Sequence, residues 1–231
     1  MNLQSPEIVD KVFQYIAFLF AISVHESAHA WMANRCGDPT ARGLGRITLN
    51  PLAHIDVLGT VVLPLVGLFG GGVIFGWAKP TPVDPRNFSD PVRDDILTTV
   101  AGPLSNFALA GVAVLMLIGI ALSSPVGHNL VLQELSSGIR PGEGSLLAPA
   151  TQFLYGALFI NVILGVFNLI PVPPLDGSHV LRHMLPGSIR NAYDRMGVFA
   201  LVALFVFGGP LIWRLVTPVW KFFNQILMAS L

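Results

Sequence analysis

Apolar residues gather in five long runs along this chain, parted by short polar segments rich in Gly and Pro. The runs cover about 12–34, 57–75, 96–122, 153–172 and 198–217. A helix needs about 20 apolar residues to cross the hydrocarbon of a bilayer. The first, third and fourth runs meet that length and predict transmembrane helices. The second holds Pro64, Gly67 and Gly70-Gly71-Gly72. Its regular part, Val57–Phe69, is too short to cross alone, so the run predicts a re-entrant element or a short span. The last run is interrupted by Gly208-Gly209-Pro210. It predicts one kinked helix, or a span followed by an interfacial helix, Pro218–Leu231, with Trp220 and Lys221 at the headgroup boundary. Gly43–Leu49 and Phe75–Val83 are extended candidates, the second kept from helix by Pro80 and Pro82. Together they predict a small β ribbon. The expected fold is an all-α polytopic membrane protein with four to five transmembrane helices, a re-entrant element and that ribbon, in one integral-membrane domain over residues 1–231.

Composition agrees with a bilayer environment. Of 231 residues, 53% are hydrophobic and 11% charged, against about 25% charged in ordinary soluble domains. The formal net charge is zero, so nothing supports binding to nucleic acid. The single cysteine, Cys36, excludes an internal disulfide and a cysteine-based zinc cluster. Met1–Lys11 lacks the basic n-region of a secretory signal, so the first run reads as a retained span. If the second run crosses fully, the Lys and Arg residues divide seven to six between the two sides. If it dips in and returns, nine of the thirteen lie on one side: three within Arg35–Arg46, three within Lys79–Arg93 and three within Arg182–Arg195. The positive-inside rule favours the second arrangement, with four spans and both termini outside the cytoplasm.

One cluster breaks the apolar pattern of the first run, which otherwise holds no Lys, Arg or Asp: His25-Glu26-Ser27-Ala28-His29. Residues four apart share a helix face, so His25 and His29 project together with Glu26 beside them. Two neutral imidazoles at that spacing suit a tetrahedral zinc ion, and the glutamate can take a proton from water that the ion polarises. Ionisable groups inside a bilayer are costly and mark function. A catalytic zinc usually takes three protein ligands. Asp56, Asp176, His54 and His179 are the candidates for the third, and spacing does not choose among them. Asp176 is favoured because Pro171-Val172-Pro173-Pro174-Leu175 unwinds a helix end before it and Gly177 lets the backbone approach closely.

At this point the chain resembles a known family, the site-2 protease family of intramembrane zinc metalloproteases, in its short form without a PDZ-type or nucleotide-sensing domain. Four motifs match in order: His25–His29; Asn50-Pro51-Leu52-Ala53-His54-Ile55-Asp56; Gly102-Pro103-Leu104-Ser105-Asn106; and Phe167–Gly177 with its proline tract. The resemblance covers about residues 12–185. It implies His25, His29 and Asp176 as ligands of one zinc ion per chain. It implies Glu26 as general base and Asn168 as the group that steadies the substrate carbonyl or its oxyanion, with Asn161 two turns away to assist. It also implies a three-helix catalytic core whose middle helix starts at Gly102-Pro103. Ala101, Ser105, Ala108 and Gly111 form a small-residue stripe suited to close packing there.

The implied activity is a zinc-dependent metalloendopeptidase acting on peptide bonds within or near transmembrane segments, in a multi-pass protein of a prokaryotic plasma membrane. Its partners are then a transmembrane protein or peptide substrate and the lipid bilayer. A substrate helix must unwind to expose its peptide bonds, and Gly43–Leu49 could pair with it by strand addition. Two other classes compete. A divalent-metal transporter needs ligands on several spans, yet runs 96–122 and 198–213 carry no ionisable residue. A non-catalytic helix-binding scaffold has little use for Glu26. His54 and Asp56 read as turn and cap residues at the start of the second run.

Overall fold

The computed structural model describes residues 6–70, 76–137 and 147–231. The chain runs through α1 (Pro6–Arg35), α2 (Thr40–Gly43), α3 (Leu63–Gly70), α4 (Pro91–Ser123), α5 (Pro125–Ser137), α6 (Leu147–Asn168), α7 (Gly177–Met184), α8 (Gly187–Phe207) and α9 (Gly209–Ala229). A π-helical segment, Val57–Val62, leads into α3. No strand occurs among the described residues.

Helices α1, α4 and α6 pack mutually and form the central layer, and α5 and α9 pack against α4 and α6. The main core joins Ala110, Ala113, Val114 and Leu117 of α4 to Leu158 and Val162 of α6 and to Val216, Phe223 and Leu227 of α9. Trp220 packs edge-on against Tyr155 and Phe159 of α6, partly withdrawn from the surface. The predicted small-residue stripe is corrected here. Ala101 is buried, but Ala108 is exposed and Gly111 has open space beside it. The buried line runs through Gly102, Asn106, Ala110, Ala113 and Leu117. The polar contacts of Asn106 with α1 and α6 set the rotation of α4, and one residue of offset turns a helix by about 100°.

The predicted spans meet the structure unevenly. Runs 96–122 and 153–172 correspond to α4 and α6, the two helices among the described residues that are each long and apolar enough to cross a membrane. Helix α6 ends at Asn168, before the proline tract, because residues preceding proline avoid the helical conformation. Helix α1 has 30 residues, but His25, Glu26 and His29 interrupt its apolar half. The span expected at 198–217 is not one helix. Phe199–Phe207 and Gly209–Ala229 meet at a bend of 78°, where Gly208 and Pro210 interrupt the ladder. The interfacial helix expected to begin at Pro218 begins nine residues earlier, with Pro218 inside α9. The second run folds as a short apolar helical element over Val57–Gly67, capped by Asp56, whose carboxylate accepts from the Gly59 N–H at 2.8 Å. Residues 71–75 of that run lie outside the described residues.

The β ribbon is absent among the described residues, for a physical reason. Pro80 and Pro82 have no N–H to give. A side chain engages the neighbouring carbonyls instead: the buried Arg46 guanidinium donates to the backbone of Ala53, Lys79 and Pro80. The strap 77–87, extended up to Asp84 and closed by a 3-10 turn at Pro85–Asn87, is tied at successive points. The Trp77 N–H donates to the Gly59 carbonyl at 3.2 Å, and the Lys79 N–H to the His54 carbonyl at 2.9 Å. Further along, the buried Asp38 carboxylate accepts from the Asp84 N–H at 2.7 Å and from Asn87 Nδ2 at 2.9 Å.

Replacing Arg46 with Met strips three carbonyls of a cationic donor. Charge-assisted hydrogen bonds contribute about 1.5–3 kcal/mol each, so we expect a loss of at least about 3 kcal/mol and a clear fall in melting temperature of the detergent-solubilised protein. An unchanged melt would show that Arg46 does not hold the strap.

Candidate metal centre

Helix α1 presents His25 and His29 on its buried face toward α4, and both rings are almost fully enclosed. They approach edge to face, with ring centroids 4.6 Å apart. Glycine at position 102 makes this approach possible. A Cβ there would sit 2.4 Å from His29 Nε2 and 2.7 Å from His25 Cε1. Gly177 does the same at the opposite wall, where a Cβ would fall 2.2 Å from the Leu169 carbonyl oxygen.

The outer nitrogen of each imidazole faces an acceptor. His25 Nδ1 lies 2.7 Å from Asn106 Oδ1, and His29 Nδ1 lies 2.7 Å from the Thr98 carbonyl. The Asn106 amide is itself oriented, since its Nδ2 donates to Asn161 Oδ1 at 3.0 Å. Asn161 Nδ2 in turn donates to the Ala157 carbonyl at 2.8 Å. Acceptors at both Nδ1 atoms place the imidazole protons there and leave both Nε2 atoms as lone-pair donors. A hydrogen-bonded chain from α6 through α4 to α1 therefore selects the tautomer that a metal requires.

Those two Nε2 atoms are 3.0 Å apart. Asp176 Oδ2 lies 3.1 Å from His25 Nε2 and 3.4 Å from His29 Nε2. Donors bound at about 2.0–2.1 Å with tetrahedral angles stand about 3.3 Å from one another, so the triangle has the size of three zinc ligands. Asp176 Oδ2 is buried and takes no hydrogen bond. Three electron-pair donors facing one another in an enclosed space repel unless a cation or protons lie between them. Asp176 also departs from the common use of Asp before a helix. It stands at the N-cap position of α7, yet its side chain makes no cap bond and turns to the histidines.

The loop that delivers Asp176 is held from outside. Tyr193 Oη donates to the Pro171 carbonyl at 2.9 Å. Helix α7 is tied to α4 by Asp95, whose Oδ2 meets His183 Nε2 at 2.7 Å and His179 Nδ1 at 3.2 Å. The Asp95 hydrogen bond raises the His179 imidazole above its ordinary range, against the opposing effect of burial. The His179–Asp95 pair is at full strength below the ordinary imidazole pKa of about 6.5 and weakens as pH rises through the raised His179 value.

The other candidates separate cleanly. His54 Nε2 faces the Thr48 carbonyl at 2.9 Å, Asp56 caps the π segment, and His179 pairs with Asp95; none of them joins the triangle. Asn161 serves the tautomer chain. Asn168, at the last position of α6, donates to the Leu164 carbonyl at 3.0 Å and makes no hydrogen bond to the histidines or Glu26. Glu26 is half-buried, and its Oε2 accepts from the Thr81 N–H and the Thr81 hydroxyl at 2.8 and 2.7 Å. Sequence reasoning missed three of these partners. Asn106 had a signal, as the one amide in an otherwise apolar stretch of α4. The Thr98 carbonyl and Thr81 had none, because a backbone acceptor has no side-chain letter and a lone Thr between prolines is ordinary in a loop.

Comparison with known proteins decides the family. The profile of Peptidase family M50 matches residues 13–208. The chain belongs to Peptidase family M50, the site-2 proteases. It is 32% identical over 225 residues to "Putative zinc metalloprotease YwhC" of Bacillus subtilis, covering 94% of this chain and 93% of that protein. It is 29% identical over 174 residues to "Putative zinc metalloprotease Rip2" of Mycolicibacterium smegmatis, covering 75% of this chain and 58% of that protein. To "Putative zinc metalloprotease SA1105" of Staphylococcus aureus it is 30% identical over 109 residues, which is 22% of that protein. No solved structure matches. This M50 chain is a metalloendopeptidase with zinc as its cofactor, and its apolar helices make it an integral membrane protein.

Replacing Asn106 with Leu keeps the bulk of the side chain and removes the acceptor at His25 Nδ1. Loss of such an outer partner typically costs 10- to 100-fold in metal affinity. We expect a drop of that size when zinc is titrated against a competing chelator. Undiminished affinity would show that the amide chain does not prepare His25.

Proposed function

We propose that this chain is an intramembrane endopeptidase that hydrolyses peptide bonds within or near transmembrane segments of other membrane proteins. The observation that carries the reading is the convergence of His25, His29 and Asp176 beside Glu26, inside a core made by α1 and the apolar helices α4 and α6. His25 lies about 20 Å along α1 from Val12, which puts the centre within a hydrocarbon layer about 30 Å thick and nearer its far face. The protein is multi-pass, sits in a prokaryotic plasma membrane and binds one zinc ion per chain.

His25, His29 and Asp176 hold the zinc. When bound, it supplies Lewis acidity, polarising the scissile carbonyl and lowering the pKa of a water. Glu26 takes the proton from the attacking water and passes it to the leaving nitrogen. Asn168 turns its amide to the oxyanion; one side-chain donor in that role can contribute roughly 3 kcal/mol. In the structure this amide donates to its own helix, so the role requires a rotamer change when substrate arrives.

The substrate is a membrane-spanning segment unwound at the cleavage site. An apolar groove of about 270 Å³ runs along α1 between Val24, Ser27, Ala28 and Trp31 on one side and Ile47 and Leu49 on the other. Ile47 and Leu49 are exposed, and the segment around them can offer main-chain partners to an extended peptide.

Two expectations test this reading. Glu26→Gln should retain zinc in detergent and lose at least about 100-fold in cleavage of a single-span membrane substrate; full activity in that variant removes Glu26 as the base. Ile47→Pro, which deletes one N–H from the groove wall, should abolish cleavage with zinc content intact. If cleavage persists, strand addition at this segment is wrong.

A further inference from the structure

We propose that Thr81 is the positioning residue for Glu26, setting the direction of its carboxylate from the strap. The inference rests on the reading of Glu26 as general base. Both Thr81 donors converge on one oxygen: its N–H at 2.8 Å and its hydroxyl at 2.7 Å from Glu26 Oε2. The same hydroxyl lies 2.9 Å from the Glu26 carbonyl, so its single proton is shared between the side chain and the main chain of Glu26, while the Thr81 N–H is committed to Oε2. Among the described residues Glu26 Oε1 accepts from no protein donor. One oxygen is held and the other is left for a reacting proton.

The grip is useful because its frame does not follow Glu26. Pro80 and Pro82 lock the backbone dihedrals on both sides of Thr81. Arg46 holds the carbonyls of Lys79 and Pro80. Asp38 holds the strap three and six residues further on, at Asp84 and Asn87. A glutamate side chain is among the most costly in conformational entropy to immobilise, and α1 alone offers it no second anchor. Two donors on a carboxylate, both charge-assisted, are strong enough to keep it in one rotamer. A base loses rate steeply when its direction is lost.

The hydroxyl can be removed without changing the shape of the strap. In the full-length protein in detergent, Thr81→Val should lower kcat about tenfold on a single-span membrane substrate, with KM and zinc content within roughly twofold of wild type. Thr81→Ser, which restores the donor but not the methyl, should recover most of that loss. A merely structural role predicts the reverse order, because Val preserves the packing volume and Ser does not. An independent readout needs no turnover. The Glu26 carboxylate stretch, isolated as the infrared difference between each protein and its Glu26→Gln counterpart, should shift and broaden in Thr81→Val relative to wild type. An unshifted band with wild-type kcat in Thr81→Val, or a Thr81→Ser variant as slow as Thr81→Val, overturns the proposal. Activity surviving in Glu26→Gln overturns the base reading itself. A silent Glu26→Gln beside an unaffected Thr81→Val overturns the role of Thr81 alone.

Discussion

Three electron-pair donors held 3.0–3.4 Å apart in an enclosed site are the constraint around which this molecule is arranged. Left alone they would repel, and an unpaired buried carboxylate is among the more expensive features a protein can carry. The surrounding structure keeps them in place nonetheless. Asn106 and the Thr98 carbonyl occupy the outer nitrogens, Gly102 removes the Cβ that would displace the rings, and Tyr193 and Asp95 anchor the elements on either side of Asp176. Every helix of the central layer contributes to that arrangement, so the packing of α1, α4 and α6 and the readiness of the centre for a metal are the same physical fact.

The strap adds a second level of order. Apart from the 3-10 turn Pro85–Asn87 it carries no regular secondary structure, yet it meets the short apolar element through the Trp77 N–H and Glu26 through Thr81, while one buried guanidinium, Arg46, and one buried carboxylate, Asp38, hold its backbone. Prolines make it stiff and unable to join a sheet, so side chains replace the missing main-chain ladder. That exchange explains why a stretch that reads as an extended candidate in the sequence becomes a clamp in the fold.

Much of the architecture was legible beforehand. Runs of apolar residues marked α4 and α6 closely, and the interruption at Gly208-Gly209-Pro210 marked the sharp bend before α9. The histidine pair and its glutamate were visible because helix periodicity alone puts residues four apart on one face. The proline tract and Gly177 made Asp176 the favoured third partner among four candidates, and the structure brings that one to the histidines. The stripe on α4 was misplaced because its rotation answers to the amide of Asn106, a contact between helices that local spacing does not encode.

Local chemistry therefore determined that the first, third and fourth apolar runs are helical, that the third and fourth are apolar enough for a bilayer, and that a metal-binding pair lies inside the first. Those properties follow from periodicity and from the backbone restrictions of proline and glycine, which act within a few residues. The tertiary structure decided which acid joins the pair, which nitrogen of each ring is left to bind, and what holds the base. Each of those depends on atoms separated by 55 to 151 positions in the chain, and such distances close only when the helices pack.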